Sequence, residues 1–168
     1  MQQLFCDGGC IKTNPSPYGG TWCWCLVEDK KILTSDNGVL SPKEAKLPKI
    51  TNNVMELFAA VLALESREKD WNGVLHTDSM ITKYRLTNGN SFNGVPQWLR
   101  VRTLDLRRMR KWSVELVGGH PTRLELEQGN LKKNGFPTSP FNVFCDKNCN
   151  IMAKLFLDEM NHKGEEEE

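Results

Sequence analysis

Four acidic residues stand where acids are costly. Asp7 interrupts the apolar stretch Leu4-Phe5-Cys6 and is followed by Gly8-Gly9; Glu56 sits among Val54, Leu57 and Phe58; Asp78 follows Val74-Leu75-His76-Thr77; and Asp146 closes Val143-Phe144-Cys145. A carboxylate in an apolar setting is unfavourable unless it is paired or holds a cation. Each has a plainer reading: Asp7 as a turn residue, Glu56 as the complement to a helix N-terminus. Jointly, in a chain with only 3 histidines, they suit a hard divalent cation, above all Mg²⁺, which prefers oxygen ligands. Carboxylates that hold two such ions can hydrolyse a phosphodiester, one ion activating water and the other stabilising the leaving oxygen.

The elements that must position these acids follow from periodicity and turn chemistry. Gln3-Leu4-Phe5-Cys6 predicts a strand ending at Asp7. Asn14-Pro15-Ser16-Pro17-Tyr18-Gly19-Gly20 is dense in turn residues. Thr21-Trp22-Cys23-Trp24-Cys25-Leu26-Val27 and the stretch from Ile32 to Leu40 complete an antiparallel meander of three strands. Residues 41–50, with two prolines, read as a loop. The clearest helix spans 53–65, its apolar positions Val54, Leu57, Phe58, Val61, Leu62 and Leu64 falling near helical period, with Thr51 or Asn52 as its cap. A short buried strand over 74–77, a helix over 79–86, a helix over 95–111, a strand over 113–117 and a last helix over 142–160 follow. Late strands alternating with helices imply parallel pairing, so the expected fold is α/β, a mixed sheet flanked by helices.

The 168 residues suffice for one domain, expected over 1–161, with 162–168 as an acidic, disordered tail. No apolar run approaches the ~20 residues of a membrane span, and the N-terminus has no signal-peptide pattern. A soluble, cytoplasmic protein without membrane partners is expected, with a monomer as the default. The spacings of Cys6, Cys10, Cys23, Cys25, Cys145 and Cys149 fit a zinc motif poorly, which favours reduced, buried thiols. The net charge is only +1. Residues 100–111 nevertheless carry Arg100, Arg102, Arg107, Arg108, Arg110 and Lys111 against the single acid Asp105, either a solvated helix face or a nucleic-acid contact.

The chain resembles the type 1 ribonucleases H along most of its length. Asp7-Gly8-Gly9 is similar to the family's first-strand acid; Thr51-Asn52-Asn53-Val54-Met55-Glu56-Leu57-Phe58-Ala59-Ala60 is the closest and most specific match; Thr77-Asp78-Ser79 resembles the third acid; and Asn142-Val143-Phe144-Cys145-Asp146 resembles the fourth. The resemblance implies a ribonuclease H-like fold, a mixed five-stranded sheet. It also implies two Mg²⁺ or Mn²⁺ ions held by Asp7, Glu56, Asp78 and Asp146, and a loop histidine, His120, that assists proton transfer or product release. An exposed histidine without a role is the plainer reading of His120. Asn150 is an alternative for the fourth position, one helical turn beyond Asp146.

The activity implied is endonucleolytic hydrolysis of the RNA strand of an RNA–DNA hybrid, leaving 5′-phosphate and 3′-hydroxyl ends. Such an enzyme must sense the 2′-hydroxyl. Asn14, Asn52 and Asn53 are candidates for that contact, Thr51 for a phosphate contact, and residues 100–111 for salt-dependent affinity. The stretch 88–95 is too short for the basic protrusion of some bacterial members. Residues 121–139, with Arg123, Lys132 and Lys133, are a candidate substitute grip. The alternatives are another nuclease on the same fold, or a non-catalytic nucleic-acid-binding module.

Overall fold

Alternating and β-branched residues give three long strands at the start of the chain, and glycine does not end the first of them. In the computed structural model, which describes residues 1–119 and 135–167, β1 runs Gln3–Cys10, β2 Gly20–Glu28 and β3 Lys31–Leu40. They pair as an antiparallel meander, with Asp7 opposite Cys23 and Cys10 opposite Gly20. Asp7 is therefore within β1 rather than at its end. Gly8 is required by packing: a Cβ there would lie 2.3 Å from the Met55 carbonyl oxygen. The expected turn signal is thus a close approach of strand to helix.

The stretch 41–50 is not wholly a loop. Ser41 and Glu44 form a reciprocal capping box around the short helix α1, Pro42–Ala45. Helix α2 follows at Asn52–Glu65, its N-terminus capped by Thr51, whose hydroxyl accepts the Val54 N–H at 3.3 Å. Strand β4 (Val74–Thr77), helix α3 (Met80–Thr87, capped by Ser79), helix α4 (Gln97–Arg108) and strand β5 (Ser113–Leu116) come next. Helix α4 is shorter at both ends than the periodicity suggests. Pro96 in extended conformation fixes its start. Helix α5 spans Pro140–Glu167, longer at both ends than expected, and takes residues 162–167 into its last turns. His120 and residues 121–134, with Arg123, Lys132 and Lys133, lie outside the described residues.

The sheet order is β3-β2-β1-β4-β5, with β1, β4 and β5 parallel. This mixed five-stranded sheet has helices on both faces. Leu4, Cys6, Trp24 and Leu26 face α2, whose Val54, Leu57, Phe58, Val61 and Leu64 fill the larger core. Phe5, Cys23, Cys25 and Val27 point the other way, against Phe141, Phe144, Cys145 and Cys149 of α5. No helix among the described residues is long and apolar enough to cross a membrane. All six cysteines are free, five of them buried and Cys10 half-buried.

Candidate active site at the carboxyl edge of the sheet

Three parallel strands bring their carboxyl ends to one edge, the place where open α/β sheets put ligands. Phe5 pairs with His76, so Asp7, two residues on, comes level with Asp78 just past β4. Leu116 pairs with Thr77, and the chain leaving β5 carries Gly118-Gly119 beside Asp78: a Cβ on Gly119 would be 2.7 Å from Asp78 Oδ2. Glu56 reaches the same edge from the first turns of α2. One carboxylate oxygen from each of Asp7, Glu56 and Asp78 lies within 4.8 Å of the others. Asp146, on α5, is hydrogen-bonded to Asp7. Asn150, one turn further along α5, is exposed.

The electrostatics follow from crowding in a dry place. Asp7 is 4% exposed. Burial, and then the charge of Asp78, pushes its carboxyl well above the ordinary range. Burial raises Glu56 as well, helped by the charges of Asp7 and Asp78. The Gly8 N–H donates to the Glu56 carboxylate and opposes this. Glu56 Oε2 is buried and has no hydrogen-bond partner among the described residues. A hard cation relieves all three problems at once: it neutralises repelling charges, replaces lost hydration and takes the orphaned oxygen. The all-oxygen donor set fits Mg²⁺ or Mn²⁺ and suits softer ions poorly.

Of the expected substrate residues, Asn14, Asn52 and Thr51 have local partners. Asn14 Oδ1 accepts the Asn52 N–H at 3.2 Å, and Asn52 Oδ1 accepts the Cys10 N–H at 3.0 Å. Together they clasp the end of β1 to the start of α2. Thr51 caps α2, and Asn53 is exposed on its first turn. Sequence reasoning missed the Cys10 end of this clasp and the place of Gly119 against Asp78. The Gly118-Gly119 pair after a strand was the available signal for the second.

In the basic segment Arg100, Arg108, Arg110 and Lys111 are exposed, as on a solvated face, and several of its cations have local partners. Arg102 pairs with Glu65 and stacks over Phe58 and Trp98. Arg107 donates to the carbonyls of Arg85 and Gly89. Arg110 lies over Trp112, just before β5, and so at the end of the parallel strands opposite the carboxylates.

The RNase H family model matches residues 1–130. A ribonuclease H of Gluconobacter oxydans is 35% identical over 124 residues, covering 73% of this chain and 75% of its own length. The chain belongs to the ribonuclease H family. A ribonuclease H of Pectobacterium atrosepticum is 29% identical over 140 residues, covering 75% of this chain and 82% of its own. The N-terminal RNase H domain of a Mycobacterium tuberculosis protein superposes with a TM-score of 0.64 at 16% identity, over 95% of this chain and 97% of that one. The foamy viral protease–reverse transcriptase in complex with RNA/DNA hybrid gives 0.59 at 11% identity, over 90% of this chain and 20% of its own. These last two show the ribonuclease H-like fold. Asp7, Glu56 and Asp78 fall within the family match, whereas Asp146 lies beyond residue 130, so its place at the site rests on its contact with Asp7.

Proposed function

We propose that the chain is a metal-dependent endonuclease that hydrolyses the RNA strand of RNA–DNA hybrids. The observation that carries this reading is the convergence of Asp7, Glu56 and Asp78 within 4.8 Å, with Asp146 bonded to Asp7, in a chain of the ribonuclease H family. Asp7, Glu56, Asp78 and Asp146 hold two Mg²⁺ ions, or Mn²⁺ in their place. When bound, two such ions supply activation of a water for attack and charge neutralisation at the leaving oxygen. Products then carry 5′-phosphate and 3′-hydroxyl ends.

The protein's own groups do the positioning. Asp7 is paired with Cys23 of β2, and the pairing of β1 with β4, which runs to Phe5–His76, brings its strand level with the chain that carries Asp78. The N-terminus of α2, with Thr51 at its cap, offers a phosphate contact. Asn14, Asn52 and Asn53 frame the strand that carries the 2′-hydroxyl, with the Asn14–Asn52 clasp tying that loop to the start of α2. His120 assists proton transfer or product release.

The test is cleavage of matched RNA–DNA, RNA–RNA and DNA–DNA duplexes, with Mg²⁺ and with EDTA. The expected outcome is cutting of the hybrid's RNA strand alone, abolished by EDTA. Equal cutting of all three duplexes would replace this reading with a general nuclease, and no cutting of any would replace it with a binding module.

A further inference from the structure

The layer between β2 and α5 is lined with thiols that the proposed chemistry does not use. Cys23 and Cys25 are two apart on a strand and face the same side; Cys145 and Cys149 are four apart on a helix and face the same side. This strand pair and helix pair oppose each other, an arrangement invisible to a linear motif. Cys145 Sγ lies 3.9 Å from Cys25 Sγ, across 120 residues of chain, and both residues are fully buried. Cys149 Sγ instead donates to the Asp7 carbonyl at 3.5 Å, and Cys145 Sγ also donates to the Phe5 carbonyl at 3.6 Å. The residue after Cys145 is Asp146, which bonds Asp7.

We propose that Cys25 and Cys145 form a redox lock: on oxidation they join in a buried disulfide that ties α5 to β2 and shifts the turn carrying Asp146 relative to Asp7. The sulfurs must close from 3.9 Å to a bond of about 2.0 Å, which draws this turn of α5 toward the sheet. The product is uncharged, so it suits the apolar layer of Phe5, Val27, Val117, Phe141 and Phe144 better than a thiolate–metal complex, which would bury charge. The oxidant is a low-molecular-weight disulfide. Its S–S bond is broken and the protein's is made, and the two thiol hydrogens leave on the two small thiols released. Both thiols are fully buried, so access is by local opening of α5, and folded, reduced protein is expected to react slowly.

The test uses the full chain in its folded state, treated with glutathione disulfide, then alkylated under denaturing conditions and mapped by mass spectrometry. The expected product links the Cys25 and Cys145 peptides and is two hydrogens lighter than the free pair. Its thermal midpoint rises by roughly 5–15 °C. Hybrid cleavage falls between roughly tenfold and a hundredfold and returns with dithiothreitol. Cys25→Ala keeps basal cleavage and loses all three responses; the reversal by dithiothreitol in unmodified protein gives the same information without any substitution. Recovery of Cys25 and Cys145 as free thiols after oxidation overturns the lock, and so does a Cys25–Cys145 bridge that leaves cleavage unchanged. The effect on cleavage rests on the proposed nuclease reading, but the bridge and the thermal shift do not. A reduced chain that cuts nothing therefore defeats that reading while the lock is still judged by mass and midpoint.

Discussion

The two faces of the sheet are built from different materials. On the α2 side, Leu4, Leu26, Leu57, Val61 and Leu75 make an aliphatic core with Trp24 and Trp71 at its margin. On the α5 side, four cysteines and three phenylalanines surround the sheet, and Asp7 and Asp146 stand at the end of the layer. The first face earns its stability from apolar area removed from water. The second contains small, soft side chains that let α5 come close enough for Asp146 to reach Asp7. One face holds the fold together, and the other brings Asp146 to Asp7.

The largest effect expected from this contrast separates activity from stability. Asp7→Asn removes a buried charge whose presence is unfavourable without a cation, while deleting a proposed metal ligand. Cleavage of the hybrid should fall about a thousandfold, the loss of about 4 kcal/mol of transition-state stabilisation, and the metal-free protein should melt no lower than wild type. A parallel drop in melting temperature would mean that Asp7 serves the fold.

The two faces should also differ in tolerance. Leu57→Ala, at a fully buried position on α2, is expected to cost about 3 kcal/mol in denaturant unfolding. Cys23→Ala on the other face should cost about 1 kcal/mol. Equal costs would erase the distinction.

This asymmetry also explains what the sequence disclosed. The α2 face was legible because leucines, valines and alanines at helical period leave one reading, and β4 was found at its true bounds from four residues. The acids Asp7, Glu56 and Asp78 were legible as residues out of place. Helix α5 was legible as a helix but not in its extent, because charged and apolar residues alternate irregularly beyond Asn150. The extension of β1 through Gly8-Gly9 was missed because a glycine demanded by the approach of Met55 looks, in one dimension, like a turn. The convergence of Cys23 and Cys25 with Cys145 and Cys149 depends on a contact over 120 residues, which local patterns do not carry.

A smaller effect is expected at the neighbouring loop. Gly119→Ala places a Cβ 2.7 Å from Asp78 Oδ2, so Asp78 must shift. The Mg²⁺ concentration for half-maximal cleavage should rise about tenfold, the equivalent of ~1.4 kcal/mol, with little change in melting. An unaltered Mg²⁺ requirement would show that Asp78 moves freely or does not hold the ion.

The mildest prediction concerns pH. The folded-state carboxyl groups of Asp7 and Glu56 titrate above their unfolded values, which lie near ~4. Their stabilising contribution is therefore complete below that unfolded range and is lost as pH rises through the folded values. Metal-free protein should melt at progressively lower temperature across that rise, and Mg²⁺ should flatten the dependence. A metal-free melting temperature that climbs over the same range would contradict the raised values.

The central claim is that this carboxylate group holds divalent cations, and titration of Mn²⁺ into the metal-free chain by calorimetry tests it most directly. Saturable binding in wild type that disappears in Asp7→Asn, with the variant folded by circular dichroism, is the expected result. Absence of binding in wild type, or equal binding in Asp7→Asn, would contradict it.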